Sequence, residues 1–87
     1  MKEQLPAELA RRLRSKGFYV SRHANWLIVM KDSKMVALVY VYPLFNEAEV
    51  VELEAEAKSV AEELSNLDPE ISVRTRKAKH LSEETAH

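Results

Sequence analysis

The chain has 87 residues, 46% of them hydrophobic and 31% charged, with a formal net charge of −1. This composition fits one folded domain and excludes both a disordered chain and a second core. There is no cysteine, so disulfides and thiolate metal sites are excluded, and efficient packing or oligomerisation is the expected source of extra stability.

The first expected element is a helix from about Pro6 to Lys16. Proline suits a first helical turn, where its missing N–H would have no partner. Leu5, Leu9 and Leu13 recur at four-residue spacing beside Ala10 and give one apolar stripe. Gly17, the single glycine, supplies the left-handed stop. Phe18–His23 then alternates as a strand with one wet face, carrying Tyr19, Ser21 and His23. Ala24-Asn25 is a short connection, and Trp26–Met30 is a continuous apolar strand. Residues Lys31 to Lys34 form a polar turn. Met35–Tyr42 is the most apolar strand and is expected at the centre of the sheet, with Pro43 ending it.

A second helix is expected from about Glu47 to Ser65, with Asn46 as N-cap and Glu49 completing a capping box. Val50, Leu53, Ala57, Val60, Leu64 and Leu67 make its apolar stripe. Asp68-Pro69 breaks the pattern, and Ile71, Val73 and Thr75 alternate as a final edge strand. The expected architecture is therefore a single α/β (α+β) domain over residues 1–76, in the order α-β-β-β-α-β. It consists of an antiparallel three-stranded meander plus a crossover helix and an edge strand, followed by a flexible tail, 77–87.

Met1–Pro6 lacks the basic start and apolar run of a secretory leader, and the apolar run Met35–Leu44 is too short to span a bilayer. A cytoplasmic protein without membrane contact is expected. The scarcity of glycine and the abundance of Glu, Lys and Arg would suit heat adaptation.

Charge is segregated along the chain. Residues 1–45 carry eight Lys or Arg against three acids, residues 46–70 one Lys against nine acids, and residues 71–87 four bases against two acids. The basic first helix presents Arg11, Arg12, Arg14 and Lys16 opposite its leucines. Arg22, and further on Lys31 and Lys34, extend the patch. Such a stripe can neutralise phosphates while Tyr19 or His23 stacks on bases, so these residues form the candidate nucleic-acid surface. The ordinary alternative is an amphipathic helix whose solvent side is basic. The glutamates of the expected second helix read best as a solvated face.

No catalytic or metal-binding constellation is visible. There is no Gly-x-Ser-x-Gly elbow, no phosphate loop, and no metal-ligand spacing among His23, His80 and His87. No catalytic residue, metal or cofactor is expected. Trp26, Met30, Met35, Tyr40 and Tyr42 supply more large apolar groups than one face of a small sheet needs. Trp26, Tyr40, Tyr42, Val51 and Leu53 are therefore the candidate interface residues of a homodimer.

Glu8 on the first helix and the stretch "RRLRSKGFYVSR", followed by a hairpin, resemble the restriction-endonuclease-like fold, in its Holliday-junction-resolvase flavour. The resemblance implies a metal-dependent nuclease site built from a helix Glu, an Asp early in the second strand and a Glu-x-Lys in the third. Glu8 matches the first of these. The second strand opens on Asn25-Trp26 instead of Asp, and Tyr40-Val41-Tyr42 stands where Glu-x-Lys would lie. Tyrosine hydroxyls are poor ligands for Mg²⁺. The resemblance thus implies a catalytically silent relative that kept binding or assembly roles, nucleic-acid binding first among them. The alternative is a protein-interaction or homodimerisation module, and a metal-dependent nuclease is a third reading that the missing carboxylates disfavour.

Overall fold

Leu5, Leu9, Ala10 and Leu13 are all buried along one stripe of a helix, α1 (Leu5–Ser15), with Pro6 in its first turn. Gly17 ends it at a φ of 96°, in the left-handed region where a Cβ is costly. The computed structural model describes residues 4–78. Three strands follow: β1 (Tyr19–His23), β2 (Trp26–Lys31) and β3 (Lys34–Tyr42). A 3-10 turn, Pro43–Phe45, leads to β4 (Glu47–Glu52), then to helix α2 (Ala57–Leu67) and strand β5 (Ser72–Lys77). This is the expected single α+β domain, with one strand more than expected.

The five strands lie in sequence order in one sheet. The first four form an antiparallel meander. The α2 crossover then brings β5 parallel to β4. The strand β3 is central, as its continuous apolarity suggests. A bulge interrupts its register with β2: Val29 pairs with Ala37 and Met30 with Met35, so Val36 is the extra residue. Val36 and Ala37 are consequently both buried, and the Val36 carbonyl accepts the N–H groups of Leu53 and Glu54.

Residues 47–56 correct the expected helix from Glu47 to Ser65. Glu-Ala-Glu-Val alternates with period two, and β4 buries Ala48 and Val50 while Glu47 and Glu49 face the other way. Glutamate and alanine favour a helix locally, but hydrogen-bonded partners on both sides, β3 and β5, override that preference. Asn46 is accordingly no N-cap. It sits in the left-handed region at φ 53° and closes the 3-10 turn. Lys77, assigned to the tail from sequence, is the last residue of β5; the rest of the expected tail beyond Ala78 lies outside the described residues.

Both helices pack on the same face of the sheet. There Leu5, Leu9, Leu13, Val20, Leu27, Val29, Val39, Val41, Val50, Val60 and Leu64 form one core cluster. The other face carries no helix among the described residues. Among the described residues no helix is long and apolar enough to cross a membrane.

Candidate interaction surface

Strand alternation decides which side chains reach the helix-free face. With Val20, Leu27, Val29, Val39, Val41, Ala48 and Val50 committed to the core, the neighbours between them point away from the helices. These are Tyr19, Ser21 and His23 of β1, Trp26, Ile28 and Met30 of β2, and Leu38, Tyr40 and Tyr42 of β3. Strand β4 adds Glu47, Glu49 and Val51, and β5 adds Arg74 and Arg76.

The ladder register aligns these residues in rows across the sheet. One row runs His23, Trp26, Tyr40, Glu49 and Arg74. Its aromatic part is a stack: the rings of His23 and Trp26 lie 4.6 Å apart at 20°, and those of Trp26 and Tyr40 lie 6.0 Å apart at 19°. Such near-parallel offset pairs add to the area each ring covers. Ser21 Oγ lies 2.9 Å from His23 Nε2 and steadies the ring at the start of the stack. The next row is aliphatic: Ser21, Ile28, Leu38, Val51 and Arg76. Val51 is buried but stands outside the core cluster.

The charged end of this face is internally balanced. Arg76 Nε donates to Glu49 Oε2 at 3.3 Å, and Arg74 approaches Glu47 at 3.6 Å. Two acids meet two bases, so the described residues of this face carry no net charge.

Of the expected interface residues, Trp26, Tyr40, Tyr42 and Val51 thus share one surface. Leu53 lies beyond the end of β4, where with Glu52, Glu54, Ala55, Lys58 and Lys77 it lines an open cleft of about 390 Å³. The expected nucleic-acid residues fall elsewhere. Arg12 and Lys16 converge on Glu63 of α2, at 3.6 and 3.1 Å. Arg14 donates to the Val20 carbonyl at 2.8 Å. Arg11 is exposed on α1, and Arg22 shares the β1 side of Val20, turned away from His23. Lys31 lies over the Phe18 ring at 5.1 Å. The basic side chains and the aromatic stack therefore occupy opposite sides of the sheet, where sequence reading had joined them in one surface.

Glu8 stands half-buried on α1, in the helical layer, while Tyr40 and Tyr42 project from the other side of the sheet. The positions that the nuclease resemblance would bring together are separated by the sheet. Among the described residues no three His, Asp or Glu side chains are grouped to hold a metal ion. A second open cleft, of about 650 Å³, runs between Lys16, α2 and β5 and includes Glu62, Glu63, Val73 and Thr75.

Sequence reading overlooked the turn after β3, where Leu44 is 94% exposed and Phe45 72% exposed. The available signal was their position between Pro43, which ends the strand, and Asn46, which tolerates a left-handed turn. Compared with protein families, with curated proteins and with solved structures, the chain matches none.

Proposed function

We propose that this chain is a non-catalytic self-association module that docks a second copy of itself through the helix-free face of its sheet. The observation that carries this reading is the continuous row of His23, Trp26 and Tyr40 lying beside Ile28, Leu38 and Val51. Aromatic residues, Met and Arg are the types enriched at the centre of protein interfaces, and a sheet face of this kind is ordinarily covered.

Two physical arguments favour a second copy as the occupant. The described residues of the face carry no net charge, so two identical faces meet without like-charge repulsion, as an isologous interface requires. Its size is also adequate. Five strands about 4.8 Å apart and roughly 20 Å long project about 480 Å² per copy. Two such faces approach the roughly 1,000 Å² at which specific interfaces begin.

The same charge balance weighs against nucleic acid. Phosphate binding draws on unpaired Lys and Arg, whereas Arg74 and Arg76 are held by glutamates, and Arg12 and Lys16 by Glu63. The aromatic stack keeps nucleic acid as the competing outcome, because ring faces accept bases irrespective of sequence. The resemblance to a silent nuclease would be compatible with either reading.

Light scattering over a concentration series, run beside anisotropy titrations with labelled single- and double-stranded oligonucleotides at low salt, separates the two. Self-association predicts a dimer mass at about 500 µM, well above the micromolar constants that modest interfaces reach. A monomeric mass throughout would sink the proposal. Oligonucleotide binding by the monomer that quenches Trp26 fluorescence would transfer the face to nucleic acid.

A further inference from the structure

The most exposed large apolar side chains among the described residues lie at the rim of the sheet, on the turn that continues β3. Leu44 and Phe45 are adjacent, at 94% and 72% exposure. Their backbone is not loose. Pro43 opens the turn, and the Asn46 N–H donates to the Pro43 carbonyl at 3.3 Å. Asn46 Nδ2 donates to the Glu70 carbonyl at 2.9 Å, and the Asn46 carbonyl accepts the Ser72 N–H at 3.0 Å. The start of β5 thus holds the turn from one side. From the other side the β1–β2 hairpin holds the end of β3, through Asn25 Nδ2 donating to the Val41 carbonyl at 3.0 Å and the Val41 N–H donating back to the Asn25 carbonyl at 2.8 Å. Two bulky apolar side chains are therefore presented to solvent on a braced turn, and presenting them already ordered lowers the entropic cost of docking.

We infer that Leu44 and Phe45 form a clasp that grips the second copy at the rim of the docking face. This rests on the self-association reading above and extends it to a surface outside the sheet. The second copy is favoured as occupant by charge: the adjoining face pairs Arg74 with Glu47 and Arg76 with Glu49, so it meets its own copy without like-charge repulsion. The sheet face projects only about 480 Å² per copy, against the roughly 800 Å² per partner of a standard interface. One aromatic side chain contributes about 150–250 Å², so Phe45 with Leu44 supplies much of the difference. The turn also follows directly on the strand that carries Leu38, Tyr40 and Tyr42, so the two surfaces are continuous along the chain. An anionic lipid surface is disfavoured because Glu47 and Glu70 adjoin the turn and residues 35–57 contain no Lys or Arg.

Sedimentation equilibrium on the wild-type chain and on a double variant, Leu44→Ser with Phe45→Ser, tests the clasp. Both side chains lie in solvent, so thermal unfolding at a concentration where the chain is monomeric should be unchanged. The dimer dissociation constant should rise at least about tenfold. A wild-type dimer whose constant is unaltered by the double substitution overturns the clasp and leaves the sheet-face reading standing. A wild-type chain that stays monomeric overturns both. As a check that needs no substitution, the Leu44 and Leu38 methyl resonances should shift together as concentration rises. Shifts confined to Leu38 count against the clasp. Co-sedimentation of the monomer with phosphatidylcholine vesicles, lost in the double variant, would overturn it in favour of a lipid surface.

Discussion

Lys16 Nζ lies 3.1 Å from Glu63 Oε2, bridging the C-terminal end of α1 to the middle of α2. Arg12 takes the other oxygen at 3.6 Å. Glu63 is the one buried charged residue among those described, at 7% exposure, whereas both cations are about half exposed. The cluster pins the two helices together over the core. It also occupies two of the five basic residues from which the sequence suggested a phosphate surface.

The uneven burial of this cluster makes its substitutions unequal. Removing both cations, Arg12→Ala with Lys16→Ala, strands a largely desolvated carboxylate and should cost about 1–3 kcal/mol. Glu63→Gln leaves two cations free to turn into water and should cost less than about 1 kcal/mol. Urea unfolding of the two variants beside wild type checks the order. Equal losses would mean that Glu63 is better hydrated than its burial implies.

The β2–β3 hairpin turns on Asp32 and Ser33, both at positive φ, 53° and 65°. Two consecutive left-handed residues define a type I′ turn, for which Asn-Gly is the favoured pair. Ser33 carries a Cβ into a region that penalises it by about 1 kcal/mol or more. Asp32→Asn with Ser33→Gly should therefore stabilise the domain by about 0.5–1 kcal/mol, the gain being trimmed by the extra freedom of glycine in the unfolded chain. Thermal denaturation gives the answer directly; a lowered midpoint would contradict the turn assignment.

How much of this was legible in the sequence depended on range. The first helix and three strands were readable nearly residue by residue, because a leucine stripe, one glycine and two polar turns mark local boundaries. Residues 47–52 were misread because Glu and Ala prefer helix locally, and only pairing with β3 and β5 makes that segment a strand. Trp26, Tyr40 and Tyr42 could be grouped from apolarity and strand alternation, whereas Val51 joins their face only because its segment pairs with β3 as a strand. The basic set dissolved for the opposite reason. Its partners, Glu63 and the Val20 carbonyl, are brought near by tertiary packing that no spacing along the chain encodes.

Gly17 offers a test of backbone against packing. At φ 96° a side chain is strained, yet an added Cβ would meet no atom within 4 Å. Gly17→Ala should thus cost about 1 kcal/mol through backbone conformation alone, partly offset by the stiffer unfolded chain. Chemical denaturation should show a lower midpoint with an unchanged slope. A loss of several kcal/mol would indicate a clash that the open surroundings exclude.

The two sides of the sheet should respond differently to substitution. Leu9 is fully buried between α1 and the sheet, so Leu9→Ala removes core volume and should cost about 2–5 kcal/mol at any protein concentration. Leu38 lies on the other side, half-buried between Ile28 and Val51. Leu38→Arg places a flexible charged chain where water reaches it in the monomer, so its cost there should stay near about 1 kcal/mol. In a docked pair the same arginine would be buried opposite an apolar face without a partner, and association should fail. Wild-type chain should melt at a midpoint that rises with concentration, because the dimer binds folded chain only. The Leu38→Arg variant should melt at a fixed midpoint, and Leu9→Ala should lower the whole curve without flattening it. A wild-type midpoint independent of concentration between about 5 and 500 µM would remove the second copy as the occupant of this face.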